Sequence, residues 1–237
     1  MKTTPYATLN EVPKEVLTQI LLNHVVSGKV KSTDLTTGYV KTLAKGTASS
    51  TNTLSMYVDL RSGVKLNGTA TVTTADVMAS NGVIHIVDKV IGLPTIVTHA
   101  TANPNFTSLV GALTGTGQPD FVSILSGTGP FTVMAPTNDA FTALNTELAP
   151  GGIASVSVGN ITKVLQYHVA NGNVLAANLT EGQVIETLQT PQKYTIQLSG
   201  GAKIKDVRNR ISNIVATDVQ CSNGVIHVLD KVLLPTF

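Results

Sequence analysis

The chain has 237 residues and a formal net charge of +2. It is 42% hydrophobic, 13% charged and 4% aromatic. So little basic excess and so few rings argue against a nucleic-acid platform, which needs a cationic stripe and stacking side chains. A single cysteine, Cys221, excludes an intrachain disulfide, and no apolar run reaches the roughly 18 residues that a membrane span requires.

Taken in order, the first ten residues from Met1 lack an apolar core of the kind a signal peptide carries. Any export signal is therefore expected to lie outside this sequence. Pro5-Tyr6-Ala7-Thr8-Leu9-Asn10 resembles Ala140-Phe141-Thr142-Ala143-Leu144-Asn145. Pro13 sits well at the start of a helix, because its missing N–H is one the first turn leaves unbonded anyway. Leu17, Ile20, Leu21 and His24 then fall at i, i+3, i+4 and i+7, one helical face. Turn-rich Thr33–Gly38 follows, and strands are predicted over 39–43, 53–59, 63–66, 69–77 and 83–90. Asn67-Gly68 marks a hairpin.

The predicted strand at 83–90 belongs to a stretch that the chain uses twice. Asn81-Gly82-Val83-Ile84-His85-Ile86-Val87-Asp88-Lys89-Val90-Ile91 returns as Asn223-Gly224-Val225-Ile226-His227-Val228-Leu229-Asp230-Lys231-Val232-Leu233. The differences are swaps among aliphatics. The Asn-Gly pairs suit tight turns with positive φ, and the runs after them read as buried closing strands. A repeat on this scale marks a duplicated domain, with copies at 1–94 and 95–237.

The second copy has a front section that the first lacks. Residues 98–113 place Phe106, Leu109, Val110 and Leu113 on one helical face, and Pro119–Leu125 reads as a short helix. Gly129-Pro130 breaks the chain before a strand at 131–135. Thr137 reads as an N-cap, with Asp139 in the first turn, where a carboxylate meets unbonded N–H groups. Ile161, Val164, Leu165 and His168 repeat the spacing of the first copy's helix. Strands are predicted at 183–188, 193–198, 202–206, 212–219 and 225–232. Copy one thus begins partway through a domain, either as a fragment of a longer protein or as a reduced unit. Unpaired strand edges and uncovered apolar surface are expected there, and with them inter-domain or oligomeric contact.

Three ordered segments carry a family resemblance: Phe131–Phe141, Leu165-Gln166-Tyr167-His168-Val169 and Asn223–Pro235. The sequence resembles the fasciclin-like adhesion domain family, complete in 95–237 and N-terminally incomplete in 1–94, where Asn23-His24 stands for the Tyr-His pair. The resemblance implies an α+β fold in tandem, a wedge of two β-sheets with helices packed around one edge. It also implies a secreted or surface-attached protein that works in adhesion. In some animal members the Tyr-His region has been proposed to contact integrins, so Tyr167, His168 and Val169 form the candidate partner-binding region.

The remaining motif residues read as mainly structural: Thr137, Asn138, Asp139, His24, His85, Asp88, His227 and Asp230. The repeated histidines lack metal-ligand spacing, so satisfied imidazoles bonded to backbone groups are expected instead. Asp76 and Asp218 are expected to accept backbone bonds around the Asn-Gly turns. No serine-nucleophile elbow occurs. Gly111–Gly117 lacks a phosphate loop's lysine and reads as a helix end. No cofactor, metal or catalytic set is expected. The reading is an extracellular or cell-surface binding module for a protein or glycan. The alternatives are a structural matrix or envelope protein and a polysaccharide-active enzyme or small-ligand carrier.

Overall fold

The computed structural model describes residues 8–237. The likeness of Pro5–Ala7 to Ala140–Thr142 lies outside the described residues. The chain divides into two compact units. Unit one runs to Asn103 and takes in Gln220–Ser222, and unit two holds Pro104–Val219 and Asn223–Phe237.

Unit one opens with α1 (Lys14–Leu22), entered from Pro13, whose carbonyl accepts from Leu17 N–H. A 3₁₀ turn at Ser32–Asp34 leads to five strands: β1 (Gly38–Lys45), β2 (Thr53–Asp59), β3 (Lys65–Leu66), β4 (Ala70–Ala79) and β5 (Gly82–Val87). They form one sheet in sequence order, so β1 and β5 are its edges. The β3–β4 hairpin turns at Asn67 and Gly68, with φ of 47° and 67°, the paired positive values that Asn-Gly supplies at low cost. Met56, Val58, Leu66, Ala70 and Ile91 form the core of this unit.

One more helix, α2 (Ile96–Ala102), closes unit one, and α3 (Thr107–Leu113) is the first α-helix of unit two. The single helical face expected over 98–113 is broken in two. Helix α2 ends at Asn103, whose backbone is extended (φ −90°, ψ 115°) because the next residue is Pro104. Helix α3 starts afresh, and α4 (Phe121–Ser126) is capped by Asp120, whose carboxylate accepts from Ser123 N–H. Strand β6 (Phe131–Pro136), α5 (Asn138–Glu147) and α6 (Val158–Tyr167) follow. The remaining strands are β7 (Val169–Asn171), β8 (Val184–Glu186), β9 (Lys193–Gln197), β10 (Lys203–Lys205), β11 (Ile211–Cys221) and β12 (Gly224–Leu229).

Their order is β7-β6-β12-β11-β10-β9-β8. Leu188, just past β8, donates its N–H to Val169 O in β7, so the two ends of the order meet and the sheet nearly closes. Strand β6 lies in the middle of one half, parallel to β12 with Ile226 opposite Val133 and Val228 opposite Ala135, and antiparallel to β7. Residues buried on both faces suit a parallel pair, and β12 is buried along its whole length. Inside the curve, Met134, Tyr167, Tyr194, Ile196, Ile204, Leu229 and Leu233 form the main core. A second cluster of Ala140, Leu144, Val164, Val232 and Leu234 ties α5 and α6 to the chain after β12. The fold is α+β, built twice on the same strand order. Among the described residues, unit one has no counterpart of β6 or of α3 to α5.

Candidate functional site

The repeated histidines and aspartates are hydrogen-bonding pins, and both copies use them alike. His168 follows α6. Its Nδ1 bonds Val164 O at 2.7 Å, and its Nε2 accepts from Leu233 N–H at 3.0 Å. Those two bonds fix one neutral tautomer, protonated at Nδ1. Burial holds its pKa down at about 4, partly offset by the Val164 bond. His24 makes the matching bonds in unit one, Nδ1 to Ile20 O at 2.8 Å and Nε2 from Ile91 N–H at 2.9 Å. His24 is exposed where His168 is buried, with the same two bonds.

On the closing strands, His85 Nε2 bonds Val30 O at 3.0 Å, and His227 Nε2 bonds Val174 O at 2.8 Å. The imidazole thus pins the loop after the helix to the last strand. Asp88 accepts from Thr71 N–H and Asp230 from Asn213 N–H, each at 2.7 Å, locking β5 to β4 and β12 to β11. Asp76 and Asp218 accept backbone bonds from the segments after the helices. Ser32 N–H and Ala176 N–H donate to them at 2.9 Å, so each carboxylate caps the 3₁₀ turn after the helix.

These two aspartates also take the positive φ expected at the Asn-Gly pairs, 59° and 58°. Asp tolerates that region better than most residues. Gly82 instead pairs with Ala79 in the ladder. Asn223 turns its amide to Leu125 O and Gly127 O at 2.8 and 2.9 Å, holding the end of α4.

Thr137 caps α5 by accepting from Ala140 N–H. Asn138 is a three-way clamp: its Oδ1 accepts from Ser108 N–H at 2.9 Å and Thr107 Oγ1 at 3.2 Å, and its Nδ2 donates to Pro104 O at 2.8 Å. Asp139 is exposed in the first turn, where its charge faces the helix N-terminus.

The expected partner-binding segment meets a buried site. Tyr167, His168 and Val169 are all within the core, and so is Ala170, so no flat patch lies at 167–170. Tyr167 Oη donates to Lys193 O at 2.7 Å and accepts from Val207 N–H at 3.2 Å, while its ring meets Tyr194 edge-on at 6.0 Å. Burial pushes its pKa up to about 12. The tyrosine and histidine act by packing and pinning, and a partner reaches them only if the unit opens.

Among the described residues, unit one exposes aliphatics that the sequence marked as core. Ile84 is 54% exposed and its repeat partner Ile226 1%; Val90 is 73% exposed and Val232 1%. Leu21 on α1 is 60% exposed, against 3% for Leu165. Identical or near-identical side chains therefore differ only in whether a β6 and an α5 lie on them. Beside this face is a cavity of about 420 Å³ walled by Val26, Leu35, Met56, Val58, Val87 and Ile91. Unit two fills the matching interior with Met134 and Tyr167. The signal for this surface was present in the sequence: a closing strand repeated without the strand that covers it.

Cys221, whose repeat counterpart is Ala79, is fully buried, and desolvation raises its thiol pKa. Among the described residues, no three His, Cys, Asp or Glu side chains come together. No described helix is long and apolar enough to cross a membrane.

Comparison with known proteins places this geometry. A family profile described as the fasciclin domain matches residues 1–94 and 104–235. Protein sll1483 of Synechocystis sp. is 38% identical over 146 residues, covering 60% of this chain and 73% of that protein. Human periostin is 27% identical over 226 residues, 92% of this chain and 25% of its own length. Among solved structures, a FAS1 domain pair from the insect cell adhesion molecule fasciclin I has a TM-score of 0.59 at 20% identity. That match covers 92% of this chain and 79% of the other.

Proposed function

Because the chain belongs to the fasciclin domain family, we propose that it is an extracellular or cell-surface adhesion module that binds a protein partner without catalysis. The observation that carries this reading is the face of unit one that the described residues leave uncovered. Ile84 and Val90 are exposed where the same residues of unit two are buried. Among the described residues β5 is an edge strand beside exposed aliphatics, which suits strand addition, in which backbone bonds give affinity and alternate side chains give specificity. A glycan would instead call for exposed rings and polar side chains. A fasciclin domain pair from a cell adhesion molecule shares the fold, and relatives such as a fasciclin-like arabinogalactan protein share sequence over 72% of this chain.

The test is binding of the full chain to immobilised matrix proteins and to a glycan array, beside the double variant Ile84→Lys/Ile86→Lys. Saturable binding to a protein that falls at least about tenfold in the variant supports the reading. Equal binding by the variant, or binding to glycans alone, contradicts it.

A further inference from the structure

Unit two holds a second feature that the adhesion reading does not use. Helices α3, α5 and α6 enclose a half-open cleft of about 530 Å³, with Phe141, Leu144, Ile161 and Val164 on its wall. That volume lies within the range of roughly 300–1,000 Å³ found for small-molecule sites. The room comes from the sequence of α3, which lends the wall Gly111 and Ala112. A methyl group at Gly111 would meet no atom within 4 Å.

The lining carries one charged side chain among the described residues, Arg208. Its Nε donates to Pro235 O at 2.8 Å, and its guanidinium carbon stands 4.6 Å from the centre of the Phe237 ring. These contacts hold the guanidinium plane in place, while its terminal nitrogens have no partner among the described residues. The neighbouring acids are engaged elsewhere: Asp206 accepts from the Arg208, Arg210 and Leu234 N–H groups, and Glu147 pairs with Arg210 at 2.6 Å. The cleft thus offers an apolar trough and one solvent-exposed guanidinium, oriented by Pro235 and Phe237.

We propose that this cleft binds a free long-chain monocarboxylate. The chain lies against the aliphatic wall, gaining with each methylene removed from water. The carboxylate takes the two terminal nitrogens of Arg208, a geometry that a planar guanidinium meets with paired bonds. A neutral alcohol leaves the guanidinium unpaired, and a cationic amphiphile is repelled by it.

The test is calorimetric titration of the full chain with sodium dodecanoate below its micelle concentration, with dodecanol and dodecyltrimethylammonium as comparators. One-site binding of dodecanoate is expected. Arg208→Gln is expected to weaken dodecanoate at least about tenfold and to leave dodecanol unchanged. Gly111→Leu is expected to abolish binding of both while raising the melting temperature, since it replaces a helical glycine and fills the void. That second variant keeps the test decisive if Arg208→Gln folds poorly. Equal affinity for dodecanoate and the ammonium, dodecanoate binding unchanged in both variants, or uptake only above micelle formation would overturn the proposal. So would binding to phosphatidylglycerol vesicles that Gly111→Leu leaves intact in place of monomer binding.

Discussion

His24 and His168 make the same pair of backbone bonds, yet only His168 is buried. A depressed histidine pKa means the unfolded chain takes up the proton first as pH falls. The stability it confers is complete above about pH 6.5 and is lost on the way down towards pH 4, up to about 3 kcal/mol for His168 alone. His99, held at about 3 by burial, and His227 shift in the same direction. Urea midpoints at pH 7 and pH 4.5 should therefore differ clearly, with the lower pH less stable; equal midpoints would contradict the pinned neutral imidazole. Tyr167→Phe leaves the Lys193 carbonyl and the Val207 N–H without their buried partner, and should cost about 1–3 kcal/mol in the same assay.

At the scale of elements, β5 and β12 are nearly the same sequence in two environments. Ile226→Lys puts a charge between β6 and the core and should cost more than about 4 kcal/mol or prevent folding. Ile84→Lys, at the matching position of an open edge, should stay within about 0.5 kcal/mol of the parent in urea denaturation. Asn138→Ala removes the clamp between α5 and the segment at 104–108, with an expected loss of about 1–3 kcal/mol. The strands, the helix caps and the doubled unit were legible because apolar spacing and Asn-Gly signals are local. The short β7 was not, since three residues after His168 carry no period, and its pairing with β6 is a long-range choice. The burial of Tyr167–Val169 was equally hidden: a motif shows where a family keeps residues, and only packing shows whether they face inward.

At the scale of the whole molecule, the described residues of the two units do not present equal faces. Unit two covers with its own β6 and α5 what unit one leaves open, so gain from two engaged copies is not expected through this surface. Adhesion through unit one and carboxylate binding by unit two are separate proposals, each resting on its own residues. The central claim is that, among the described residues, the closing strand β5 is an uncovered edge while its repeat β12 is a sealed interior strand. Hydrogen–deuterium exchange on the full chain compares Gly82–Val87 with Gly224–Leu229 directly. The account predicts that the β5 amides exchange much faster than those of β12, and that a peptide spanning 129–147, the chain's own covering segment, slows β5 alone. Equal protection of the two strands in the free protein, or no response of β5 to the peptide, would contradict it.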